Sequence, residues 1–159
     1  ITTRLVGSEM CIRDRLYMGL PGQAGGEAAA NLLTGKVNPS GKLTETWPMR
    51  YADVPSRETF GQKTTHYKEG LYVGYRYYDK AGVPVRFAFG HGLSYTRFSY
   101  SDLWIEGRTV RVTVANTGSR EGTEVVQLYI APPQNGLYRP LKELKGLLVL
   151  KVLLNVLKN

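Results

Sequence analysis

Apolar and polar positions alternate most clearly in the last third of the chain. In residues 109–115, Val110, Val112 and Val114 alternate with Thr109, Arg111 and Thr113. A period of two places one set on each face of a half-buried strand. Asn116-Thr117-Gly118 supplies the turn that follows. A second strand is predicted over residues 124–130. Val126, Leu128 and Ile130 share one face there, Glu124, Gln127 and Tyr129 lie mostly outside it, and Pro132-Pro133 ends the run. Nearer the N-terminus the period changes. Ala28, Ala29, Leu32 and Leu33 recur at helical spacing, and alanine is the strongest helix former. Gly25 and Gly26 lead in, and Gly35 stops the helix where a left-handed residue is needed. Asn38-Pro39-Ser40-Gly41 is a turn signal, and residues 43–47 read as a short strand closed by Pro48.

These elements predict a mixed fold. The helix–turn–strand unit cannot bury both its faces alone, so it reads as the C-terminal end of an α/β sandwich domain. From Phe98 onward, short strands between turns read as an immunoglobulin-like or fibronectin type III-like all-β sandwich. Such a sandwich takes about seven strands, and roughly half of that is expected here, so it is incomplete. Between the two, residues 51–97 are turn-rich and aromatic, with extended pieces such as 71–78. Flexible tethers are poor in aromatics, so this stretch is expected to lie on a surface. The predicted organisation is therefore a leader over 1–16, the α/β end over 17–50, an aromatic interdomain linker over 51–97, a partial sandwich over 98–150 and a doubtful tail over 151–159.

Composition narrows the function classes. Apolar residues are 42% of the 159 and charged residues 21%, the balance of an ordinary globular chain. The formal charge is +8, but Lys and Arg are scattered with no run of five or more, so no nucleic-acid partner is expected. Cys11 is the sole cysteine, which excludes an intrachain disulfide. The apolar run over 147–157 is broken by Lys151 and Asn155 and is too short to span a bilayer. It is β-prone and an aggregation hazard as it stands. No signal peptide and no membrane partner are read from the chain, and its compartment stays open.

Four motifs in order carry a resemblance to a known family. LPGQAGGEAAANLLTGKVNPSGKLTETWP (20–48) resembles the end of the α/β domain of family-3 glycoside hydrolases, and YKEGLYVGYRYYD (67–79) resembles their linker. FAFGHGLSYTRFSYSDL (87–103) is similar to the segment entering their fibronectin type III-like domain. VTVANTGSREGTEVVQLYIAPP and RPLKELKG are similar to its continuation. The resemblance covers about 17–147. It implies an exo-acting, retaining, cofactor-free hydrolase removing β-linked glucose or a similar sugar from non-reducing ends. Retention needs two carboxyl groups about 5–5.5 Å apart. The resemblance implies an Asp nucleophile in a TIM-type barrel and an acid/base Glu early in the α/β domain. Neither region is in this chain, so no catalytic residue is assigned. The expected partners are a β-glycoside substrate and those barrel and α/β parts, and the chain alone is expected to be inactive. The alternative is a stand-alone fibronectin type III-like module that binds carbohydrate or protein, which requires a self-contained core.

Some features depart from the family or from other chemistries. Leu147 stands where the family usually has an aromatic residue, and a later Pro-Gly-Glu turn is missing. LVGSEMCIRD resembles a translated sequencing adapter, so 1–16 is expected to be non-native. Ser8-Glu9 and Asp14-Arg15 faintly match the family's acid/base region, but the long separation the family keeps there is absent. GKVNPSGK has one residue too many for a phosphate-binding loop and Leu43 where Ser or Thr would hold magnesium. His66 and His91 with Cys11 make no metal site, and no Gly-x-Ser-x-Gly elbow occurs. What remains is the aromatic strip. Tyr67, Glu69, Tyr75, Arg76, Tyr77 and Asp79 are the candidates for substrate binding or interdomain anchoring, with anchoring favoured and an Arg76–carboxylate pair fixing the strip.

Overall fold

The computed structural model describes residues 2–5, 13–64, 66–133 and 137–153. Ser8, Glu9, Cys11 and Asn155 lie outside the described residues. Among the described residues are four two-stranded sheets and two α-helices. β1 (Thr2–Leu5) and β2 (Arg13–Leu16) pair antiparallel, with Thr2 opposite Leu16. No period marks this stretch, because backbone pairing needs no side-chain alternation.

Helix α1 (Gly25–Leu33) follows the Ala/Leu spacing. Thr34 closes it, its hydroxyl donating to the Ala30 carbonyl at 2.7 Å, and Gly35 takes φ +73° just beyond. The strand expected over 43–47 is shorter and shifted. β3 is Trp47–Pro48, paired antiparallel with β4 (Val85–Phe87) across an irregular register. Pro48 sits in the pair rather than after it, which so brief a ladder tolerates. The buried Leu43 instead bonds the 90–91 turn through both backbone groups, its N–H to the His91 carbonyl and its carbonyl from the Gly90 N–H, each 2.8 Å.

The larger correction concerns residues 71–78. An extended piece was expected, but Tyr75–Ala81 is helix α2. Gly74 at φ 59° opens it and Gly82 at φ 63° closes it. Tyrosines favour strands only weakly, so tertiary packing decides here. On a helix Tyr78 turns into the core while Tyr75 reaches a neighbouring aromatic cluster.

β5 (Phe98–Glu106) and β6 (Thr109–Asn116) pair antiparallel, and the alternation over 109–114 appears as alternating burial on β6. Asp102, at φ 53°, marks the irregularity between Ser101 and Trp104. β7 (Gly122–Ile130) pairs with β8 (Glu143–Val152). The expected outer face of β7 is not outside. Gln127 lies against Gly90, Tyr129 meets Tyr75 edge-on, and it is Ile130 that is exposed.

The chain divides into two compact units. The first takes residues 1–41, 92–126 and 148–159, the second 42–91 and 127–147. In the first, Asn38 is a hub. Its side chain accepts from Ser94 Oγ (2.9 Å) and the Tyr95 N–H (2.8 Å) and donates to the Glu121 carbonyl (2.8 Å). Buried Asn116 is a second hub. It accepts from Thr96 Oγ1 (2.7 Å) and the Gly118 N–H (3.1 Å) and donates to the Arg120 carbonyl (2.7 Å). The second unit holds the buried apolar residues Leu43, Tyr78 and Phe87.

Candidate functional site

Helix α2 places Tyr75, Arg76, Tyr77 and Asp79, while Tyr67 and Glu69 lie in the stretch before it, and the structure sorts the six into two groups. Tyr67, Glu69 and Tyr77 line a cavity of about 650 Å³. Tyr75, Arg76 and Asp79 do not; they hold α2 in place. The Tyr75 ring lies 5.4 Å from Phe89 and edge-on to Tyr129 at 5.6 Å, and its hydroxyl accepts the Leu144 N–H at 2.9 Å. Asp79 pairs with Lys142 at 3.1 Å, not with Arg76. Arg76 lies 6.0 Å from the Tyr75 ring, a cation over a ring, and its charge also acts on the Glu143 carboxylate.

Most of the rest of the cavity comes from outside the aromatic strip. Thr59 and Phe60 enter from the turn-rich 55–60 stretch, Lys80 from α2, and Tyr138 from beyond β7. Tyr138 packs on Tyr72 at 5.0 Å, and Lys80 lies over its ring at 5.3 Å. Phe60, Tyr67 and Tyr138 stay largely exposed, at 79%, 95% and 73%. Tyr138 stands some sixty residues from Tyr77, too far for any local pattern to join them.

The electrostatics follow from burial. Burial pushes the Tyr72 phenol up, with the Tyr138 hydroxyl beside it adding to the effect. Burial also raises Tyr78, helped by the neighbouring Tyr77 and by the carboxylates of Asp53 and Glu69. These hydroxyls stay protonated and available as donors at neutral pH. Among the described residues, Glu69 is the one carboxylate on the cavity wall. Among the described residues no cluster of His, Cys, Asp and Glu could hold a metal ion, and no helix is long and apolar enough to cross a membrane. His91 stacks on Phe87 at 5.1 Å, away from the cavity wall, and burial followed by the charge of Lys42 holds its pKa below the usual histidine range.

The chain is similar to known proteins over most of its length. The Glycosyl hydrolase family 3 C-terminal domain matches residues 12–95. Thermostable beta-glucosidase B of Acetivibrio thermocellus is 48% identical over 145 residues, which are 85% of this chain and 19% of that protein. Probable beta-glucosidase K of Emericella nidulans is 45% identical over 139 residues, 85% of this chain and 17% of that one. Among solved structures, beta-glucosidase 3B from Thermotoga neapolitana in complex with glycerol superposes with a TM-score of 0.78 at 44% identity, covering 84% of this chain and 20% of its own. Beta-D-glucoside glucohydrolase from Trichoderma reesei gives 0.80 at 32% identity, covering 89% and 23%. The chain thus spans about a fifth of the length of these relatives.

Proposed function

The chain belongs to the glycosyl hydrolase family 3 C-terminal domain family, and from that premise we propose that it is the C-terminal portion of a retaining, exo-acting hydrolase. The substrate is a β-glycoside, and the enzyme removes β-linked glucose or a similar sugar from the non-reducing end. The observation that carries this reading is the likeness to beta-glucosidases at 44–48% identity over most of the chain. The single carboxylate on the cavity wall supports the corollary that the 159-residue chain is inactive alone. The nucleophile and the acid/base then belong to parts of the polypeptide outside this chain.

Within that enzyme, β5–β6 and β7–β8 contribute to the two sheets of a fibronectin type III-like sandwich, and the 51–97 stretch joins it to the α/β part ending near residue 50. Tyr75, Arg76 and Asp79 serve the linker by fixing α2. Tyr67, Glu69 and Tyr77 present a wall to whatever meets it. The decisive experiment joins this chain in frame to the barrel and α/β regions of its own gene. The longer protein should release glucose from an aryl β-glucoside, with the β-anomer seen first by proton NMR, and the 159-residue chain should release none. Turnover by the pure short chain, or first appearance of the α-anomer, overturns the reading.

A further inference from the structure

We propose that the cavity of the second unit binds a glycan chain, an assignment that rests on the hydrolase reading above and deepens it. The first ground is shape. A volume of about 650 Å³ lies inside the range of roughly 300–1,000 Å³ typical of small-ligand sites. The second ground is the kind of surface. Phe60, Tyr67 and Tyr138 leave most of their rings in water at 79%, 95% and 73% exposure, although aromatic area is the most favourable to cover. The C–H faces of a pyranose cover such rings while its hydroxyls stay wet. The third ground is polar complement. Glu69 offers a carboxylate acceptor and Lys80 an ammonium donor on the same wall, matched to neighbouring hydroxyls of a neutral sugar.

The test uses the 159-residue chain with cellotetraose as probe. Titration followed by tyrosine fluorescence should saturate. Tyr67→Ala and Tyr138→Ala should each weaken binding about three- to tenfold, the worth of one aromatic contact. Tyr100→Ala, on β5 of the first unit, should leave it unchanged. Tyr67 is almost wholly exposed, so its removal leaves the melting temperature in place and isolates binding from folding. No saturation, or equal binding by both cavity variants, overturns the proposal. In the longer enzyme, the same variants should raise KM for cellotetraose by more than they raise KM for an aryl β-glucoside. An unchanged KM in an active enzyme sinks the cavity assignment alone. An inactive longer enzyme sinks the hydrolase reading, while binding by the short chain still reports on the cavity.

Discussion

The two units are held by different kinds of force. In the first, two asparagines tie distant segments through directional bonds. Asn38 joins the turn after α1 to residues 94, 95 and 121, and Asn116 joins the end of β6 to residues 96, 118 and 120. In the second, rings provide the contact. Tyr75 meets Phe89 and Tyr129, Trp47 meets Phe87, and Tyr72 meets Tyr138. A hydrogen-bonded hub depends on one donor or acceptor at one point, and its loss strands its partners. A ring contact depends on area and forgives changes that preserve it. The first unit should therefore be sensitive to chemistry, and the second to volume.

The sharpest break of this contrast is Tyr75→Ala. It removes a ring shared by two neighbours and should cost about 3 kcal/mol, the low end for aromatic truncation because Tyr75 is half-buried. At about 2–4 °C per kcal/mol, the melting temperature followed by circular dichroism should fall by roughly 6–12 °C. Next comes Asn116→Ala, which strands the Thr96 hydroxyl, the Gly118 amide and the Arg120 carbonyl and should cost about 2–3 kcal/mol. Asn116→Asp keeps the acceptor but sets a buried carboxylate against the Arg120 carbonyl, so urea denaturation should find it at least as costly as Asn116→Ala. Tyr75→Phe preserves the ring and frees only the Leu144 amide, at about 1 kcal/mol. If Tyr75→Phe proves as costly as Asn116→Ala, the division between chemistry and volume fails.

The smallest effect is one of pH. His91 has its pKa lowered in the folded chain, by burial first and then by Lys42, and its Nε2 is buried without a hydrogen-bond partner. The unfolded chain takes up the proton from about pH 6.5 downward. Between that value and the lower folded pKa the unfolded state binds more protons, so stability falls as pH falls through this window. A pH series of melting temperatures should show the decline, and His91→Phe should flatten it. Asp53 adds a second slope at lower pH. Its carboxyl is held below the usual range by its hydrogen bond to Arg50, so its contribution is present above about pH 3.9 and lost as pH falls through its folded value.

Local pattern was enough for α1 and β6. Alanine and leucine spacing with Gly35, and valines alternating with threonines, act over a turn or a few residues, and both elements stand where those signals put them. Pattern failed at α2, because the preference of tyrosine for extended backbone is weak, and packing of Tyr75 and Tyr78 outweighs it. It failed again for the outer face of β7, where Tyr129 is covered by a residue over fifty positions away. The candidate strip was legible as a strip, since aromatics crowd residues 67–78. Its division into cavity wall and helix anchor was not, since Thr59, Phe60 and Tyr138 complete the wall from elsewhere.

The sequence by itself determined the family, through four motifs in order, and the short-range elements, through periodicity and glycine placement. Tertiary structure alone decided that α2 is a helix, that Lys142 rather than Arg76 holds Asp79, and which tyrosines face open space. The physical reason is distance along the chain. Periodicity and turn chemistry are set by neighbours, whereas a cavity wall and an ion pair are set by residues that meet only after folding.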